Sequence, residues 1–370
     1  MIDPMKFAIV LFTLLGAAHA EDPSTPRKTE NVIFVMTDGL RWQEVFAGAD
    51  RSLMNKESGG VEDVPALEKA YWRDAPEARR EAVLPFVWGV MARQGQIFGN
   101  RNQKSDMRVT NGLKFSYPGY NETLCGFPDP RIDRNEYGPN PNVTVLEWLN
   151  RKPALQDRVA AFAAWDAFDR ILNRERCGFF VNTGFSPMPE ADSNPKLQLL
   201  NRLKEEIPRT WGEEPVDALT FHSALEYFKA HQPRVFYLSL GETDEWGHGG
   251  RYDEYLAAAK RADYYLKTLW ETAQAMPQYQ GKTTLLFSAD HGRGSGLAAW
   301  KDHGKDVAGA EYTWLAALGP DTPALGQRAN VAEIAQGQIA ATIAALLGED
   351  FHADIPQSAK PIGGILSSPR

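Results

Sequence analysis

The sequence predicts an α/β protein, a three-layer α/β/α arrangement around a mostly parallel central sheet. Three observations predict it. Apolar, β-prone runs at 31–37, 234–240 and 283–287 read as strands buried in a sheet. Helix-like stretches stand between them, and strands alternating with helices imply a parallel sheet with helices on both faces. Each run also leads into acids or imidazoles beside glycine: Asp38-Gly39, Asp244 to His248-Gly249, and Asp290-His291-Gly292. Open α/β sheets place their ligands at that edge.

The chain of 370 residues suffices for one large domain or two medium ones. Its net charge of −8 argues against a general nucleic-acid-binding surface. Lys6, the apolar run 7–18 and Ala18-His19-Ala20 form a secretory signal pattern, with cleavage expected after residue 20. The apolar run is short for a membrane span. The expectation is an exported, periplasmic protein with no membrane attachment after cleavage. Residues 21–370 are then a single catalytic domain with insertions around 48–80 and 183–216. Cys125 and Cys177 either pair in an oxidising compartment or remain buried thiols.

In chain order, a polar leader at 21–30 precedes the strand ending Thr37-Asp38-Gly39. An Asp at that position is either a helix cap or a ligand. Residues 48–80 are charged and aperiodic, an excursion from the sheet. A helix is expected over 81–93 and a strand from 96 to 99. Over 105–126 a strand runs into a turn at Ser116, and Pro118 suits the first turn of a helix. Ser116 then sits at a helix amino terminus, where free N–H groups stabilise negative charge, or serves as a plain N-cap. A polar Pro/Asn loop covers 135–142, and a helix starts at 143. A strand at 158–164 leads into Trp165-Asp166. Helices follow at 216–231 and 253–276, with the Asp244/His248 loop between them. In the second, Leu256, Ala259, Tyr264, Leu266 and Leu269 recur at helical spacing and read as core. The strand at 283, another at 311–318 and a helix at 331–347 complete the chain.

Of seven histidines, His19 lies in the leader, and His222, His231 and His352 read as structural or solvent-facing. His248, His291 and His303 each sit beside glycine in loops after strands. Together with Asp38, Asp244 and Asp290 they indicate a metal centre. His/Asp ligation without cysteine suits zinc, with manganese or iron as alternatives.

This set resembles the alkaline phosphatase superfamily, closest in pattern to its nucleotide pyrophosphatase/phosphodiesterase branch. The matching pieces run in family order: Thr37-Asp38-Gly39, Phe115-Ser116-Tyr117-Pro118, Asp244 to His248, Ala289-Asp290-His291-Gly292 and Asp302-His303-Gly304. The run 339–348 also resembles the family's closing helix. The resemblance implies two Zn2+ sites, one held by Asp244, His248 and His303. The other is held by Asp38, Asp290 and His291, with the Ser116 oxygen as a further ligand. It implies Ser116 as the nucleophile, passing through a phospho-serine. A bound dication lowers the pKa of a serine hydroxyl, and two ions about 4 Å apart can clamp an in-line displacement. The diesterase branch places a phosphoryl-binding asparagine about twenty residues after the nucleophile; Asn135 stands there, with Asn140 and Asn142 as rivals and a turn role as the alternative.

Departures from the branch concern the substrate. Serine replaces the usual threonine, Gly119-Tyr120-Asn121-Glu122 replaces Asn-His, and no arginine flanks Ser116. Lys114 lies two residues away. The expected substrate is a small-molecule phosphodiester rather than a nucleic-acid polymer. A phosphomonoesterase, a sulfatase-like hydrolase and a binding protein with a degenerate site are the competing readings. A serine-type sulfatase motif needs arginine where Tyr120 stands, and sulfatases bind one calcium. Trp42, Tyr117, Tyr120, Trp165 and Trp246 read either as an aromatic platform for the substrate or as core.

Overall fold

The computed structural model describes residues 27–189 and 191–366; the leader at 1–20 lies outside them. Among the described residues, ten strands occur in chain order: β1 (Asn31–Thr37), β2 (Gln96–Phe98), β3 (Met107–Arg108), β4 (Val159–Ala163), β5 (Phe180–Thr183), β6 (Val235–Leu240), β7 (Thr283–Ala289), β8 (Leu315–Leu318), β9 (Gly326–Gln327) and β10 (Ile334–Ala335). Eight form one sheet in the order β5-β4-β6-β1-β7-β8-β2-β9, and β3 pairs with β10 apart from it.

The stretch from β5 to β7 is wholly parallel; β8 runs antiparallel to both β7 and β2. Alternate side chains of β1 enter two separate cores. Ile33 and Val35 pack with Phe221, Leu225, Leu256 and Leu266, while Val32, Phe34 and Met36 pack with Tyr117, Leu124, Leu146 and Ile343. The period-two geometry of a strand thus makes three layers from a run apolar on both faces. Strand register sets where the candidate ligands emerge. Thr37 lies opposite Leu240 on one side and Ala289 on the other. The next residues, Asp38, Gly241 and Asp290, therefore leave the sheet side by side at its carboxyl edge.

Several expected elements are shorter or of another kind. The helix anticipated at 81–93 divides, with Pro76–Val83 ending before Pro85 and a π-type turn forming at Val87–Met91. Proline cannot donate a backbone hydrogen bond and disfavours helix in the residue before it. The buried Asp263 carboxylate caps the restart, accepting from the Phe86 and Val87 N–H groups, both at 2.8 Å. The strand expected at 311–318 keeps only Leu315–Leu318, because residues 311–313 turn to bond Val109 and Met107 instead. The closing helix is Gln338–Leu346; ahead of it, Ile334–Ala335 pairs with Met107–Arg108. The strand expected before Ser116 is likewise only Met107–Arg108.

The segment 48–80 forms short helices at Lys56–Gly59, Val64–Tyr71 and the start of Pro76–Val83, and its Leu53, Val61, Leu67 and Tyr71 are buried. Within 183–216 the helix Pro195–Glu206 buries Leu197. Cys125 and Cys177 are free, buried thiols. Among the described residues, no helix is long and apolar enough to cross a membrane.

Candidate metal centre

At the carboxyl edge, β1 delivers Asp38 and β7 delivers Asp290 and His291. Each carboxylate has one oxygen pinned and the other without a hydrogen-bond partner. Asp38 Oδ2 accepts from the Tyr120 hydroxyl at 3.0 Å, and Asp290 Oδ1 accepts from the Gly39 N–H at 3.1 Å. Gly39 adopts φ 60°, and a Cβ there would lie 2.7 Å from Asp244 Oδ1, so the position excludes a side chain. The remaining oxygens, Asp38 Oδ1 and Asp290 Oδ2, are buried and orphaned. They lie 3.2 and 3.4 Å from His291 Nε2, close but not in hydrogen-bond geometry. His291 Nδ1 is 2.9 Å from the Gly292 carbonyl, and donation there leaves the Nε2 lone pair free. Ser116 Oγ stands 3.4 Å from the same Nε2.

The electrostatics suit a cation-binding site. Burial, reinforced by the nearby Asp244 charge, pushes Asp38 up to about 7. Burial, with Asp38 beside it, holds Asp290 well above the usual carboxylate range. Burial lowers His291 to about 4, which keeps the imidazole neutral. Two buried acids with an orphaned oxygen each, facing a neutral imidazole nitrogen, form a donor set for a divalent ion.

A second group adjoins it. The Asp244/His248 stretch, expected as a loop, is the helix Glu242–His248. Asp217 caps its start, accepting from the Gly241 N–H at 2.8 Å and the Glu242 N–H at 3.3 Å. The i,i+4 spacing puts both ligands on one face, with Asp244 Oδ2 and His248 Nε2 3.2 Å apart. His303 Nε2 lies 2.9 Å from His248 Nε2 and 3.6 Å from Asp244 Oδ1. Its Nδ1 is held 3.2 Å from the Lys114 carbonyl, and burial with His291 alongside lowers the ring to about 3. Burial also works against His248, yet its hydrogen bond to Asp244 leaves it raised. The His291 and His303 rings stack at 4.0 Å, which joins the groups. Asp244, His248 and His303 could hold one ion, and so could Asp38, Asp244 and His291, since their ligand atoms lie within 4.8 Å of one another.

Ser116 is the first residue of the helix Ser116–Cys125, with Phe115 rather than Ser116 at the N-cap. Asn135 Oδ1 accepts from the Tyr117 N–H at 3.0 Å, which anchors this asparagine at the start of the Ser116 helix. Asn140 and Asn142 lie elsewhere, in a buried network with Asn121 and Asp129. Lys114 adopts φ 58°, not an extended strand, and its Nζ donates to the Val307 carbonyl at 3.1 Å. Tyr117 and Tyr120 are buried in the core; Trp42, Trp165 and Trp246 are half-buried, and Trp246 meets Trp211 edge-on at 5.0 Å.

Sequence reasoning missed three participants. Tyr120 orients Asp38. Glu214 is buried against Gly241, where a Cβ would collide with its Oε1; burial and the charges of Glu245 and Asp38 hold it well above the carboxylate range. Arg293 is fully buried and ion-paired to Asp244 Oδ1. A legible signal for Arg293 existed: it stands between Gly292 and Gly294, directly after Asp290-His291.

No protein-family model and no curated protein matches the chain. Solved structures match it in fold. Wild-type alkaline phosphatase PafA aligns with a TM-score of 0.59 at 11% identity, covering 93% of this chain and 99% of that one. The phosphonate monoester hydrolase SpPMH from Silicibacter pomeroyi aligns at 0.56 and 14%, covering 92% and 78%. The lipoteichoic acid synthase LtaP from Listeria monocytogenes aligns at 0.56 and 13%, covering 95% and 80%. The chain takes the fold of the alkaline phosphatase superfamily.

Proposed function

We propose that this chain is an exported, metal-dependent phosphoester hydrolase that prefers small-molecule diesters and uses Ser116 as its nucleophile. One observation carries the reading: two orphaned carboxylate oxygens and a neutral imidazole nitrogen converge beside the Ser116 hydroxyl. Asp38, Asp290 and His291 would hold one divalent ion beside Ser116, and Asp244, His248 and His303 a second, with zinc the best match to the donors. Bound there, such ions supply Lewis-acid stabilisation of the oxygens that gain charge in an in-line displacement.

The residues of the chain supply the rest. The opening turn of the Ser116 helix fixes Oγ at the sheet edge, and the helix amino terminus favours the negative charge that builds there. Asn135, anchored through Oδ1, keeps Nδ2 as a donor for a phosphoryl oxygen. Ser116 Oγ gives up its proton and bonds to phosphorus as the opposite P–O ester bond breaks, and the departing oxygen takes up a proton to leave as the alcohol. Water then releases the phosphate monoester from the phospho-serine and restores the hydroxyl.

The surroundings support diesters. Arg293 and Lys114 are committed to Asp244 and to Val307 and Glu311. Buried Glu214 and half-buried Glu245 lie close by; partial burial, then Asp244, raises Glu245 to about 7. With both cations so committed, neither is free to meet the second negative charge of a dianionic monoester, and a monoanionic diester carries no such charge. Tyr120, where a serine-type sulfatase would carry arginine, is taken up by Asp38.

The deciding experiment compares purified protein with its Ser116→Ala variant. Chelator-sensitive hydrolysis of bis-p-nitrophenyl phosphate, with kcat/KM above that for p-nitrophenyl phosphate, is expected. Ser116→Ala should keep its metal and lose turnover. A metal-free protein, or an undiminished variant, overturns the proposal.

A further inference from the structure

Among the described residues, Asp244 is ion-paired to an arginine, whereas Asp38 and Asp290 have no Lys or Arg partner. We infer that Arg293 makes the two metal sites unequal, one tight and one exchangeable, by committing half of the Asp244 carboxylate to a guanidinium. The inference rests on the proposed two-metal reading.

The guanidinium sits in a built pocket. Nε donates to the Trp300 carbonyl at 3.1 Å, Nη2 donates to the Lys301 carbonyl, and Nη1 pairs with Asp244 Oδ1. Gly247 makes room for it, since a Cβ there would lie 2.8 Å from Arg293 Cζ. A fully buried arginine held at three corners does not swing aside when an ion arrives.

Charge then separates the sites. Asp38, Asp290 and His291 offer two carboxylates. Asp244, His248 and His303 offer one, and Arg293 offsets it. The state of the donors separates them again. In the first group the carboxylate oxygens facing His291 are orphans, so an ion displaces only the 3.4 Å contact between Ser116 Oγ and His291 Nε2 on entry. In the second, Asp244 Oδ2 already meets His248 Nε2 at 3.2 Å, and that nitrogen meets His303 Nε2 at 2.9 Å. An ion must displace those contacts. His248 is also 43% exposed, whereas His291 is fully buried, so water reaches the second site more readily.

The test strips full-length protein with a chelator and titrates it with Zn2+ alone against a chromophoric competitor. Two steps are expected, separated by about tenfold or more, the scale on which a partner of a ligand changes affinity. Arg293→Met keeps the bulk and removes the charge, and should tighten the weaker step by about tenfold. Arg293→Lys keeps the charge and should leave that step weak; thermal melts verify that both variants are folded. Two equal steps in the wild type, or a weaker second step in Arg293→Met, overturns the inference while leaving the metal reading intact. Absence of any zinc binding removes the metal reading itself.

Discussion

Replacing Asp38 by asparagine should stabilise the metal-stripped protein while weakening the metal-loaded one. Asp38 is 7% exposed and has one orphaned oxygen. Without a cation, burial and Asp244 move its pKa from 3.8 to about 7. The folded value is the higher one, so its contribution to stability is fully present below pH 4 and is lost as pH rises through 7. A shift of about three units corresponds to ~4 kcal/mol of lost stability at pH 8. Asparagine does not titrate and avoids that loss, although it weakens the hydrogen bond from Tyr120 by about 1 kcal/mol. The net expectation is a gain of about 3 kcal/mol at pH 8 in chelator, falling to near zero or slightly negative at pH 4. Urea unfolding of both proteins at the two pH values measures it. With zinc present the order should reverse, because the wild type alone gains the full binding free energy. A stripped Asp38→Asn protein less stable than wild type at pH 8 would refute the claim that these carboxylates are strained for want of a cation.

Three further outcomes are expected. Tyr120→Phe removes the hydroxyl that holds Asp38 Oδ2 and should lower zinc affinity about 10- to 100-fold, read by chelator competition. Glu44→Ala leaves the buried Arg41 guanidinium unpaired and strips the Tyr252 hydroxyl of its acceptor; unfolding free energy should fall by about 3–5 kcal/mol. Lys204 is buried, with Nζ donating to the Ser186 carbonyl at 2.7 Å, and burial draws its pKa from 10.5 to about 8. The folded value is the lower one, so its contribution is present above pH 10.5 and is lost as pH falls through 8. Wild-type stability should rise by on the order of 3 kcal/mol from this group between pH 8 and 10.5, and Lys204→Met should lack that rise in urea midpoints.

Local pattern was enough to read the sheet and the candidate ligands at its edge. The centres of the runs 31–37 and 283–289, residues 32–36 and 285–287, put apolar residues on both faces, and only a strand covered by two layers buries them. The acids at the ends of such strands have no choice but the carboxyl edge, so Asp38, Asp290 and His291 were legible as neighbours. Local spacing also placed Asp244 and His248 together, although it misread their element. Glu242–His248 contains a glycine and few strong helix formers; its cap, Asp217, comes from another helix, which no local pattern reveals. Tertiary structure alone decided the partners. Tyr120 reaches Asp38 from 82 residues away, and Arg293 reaches Asp244 from 49. A left-handed backbone at Lys114 directs its Nζ to the Val307 carbonyl. Periodicity reports which face of an element is buried. Which distant polar group meets which is settled only when packing removes water and each buried charge must find its own counterpart.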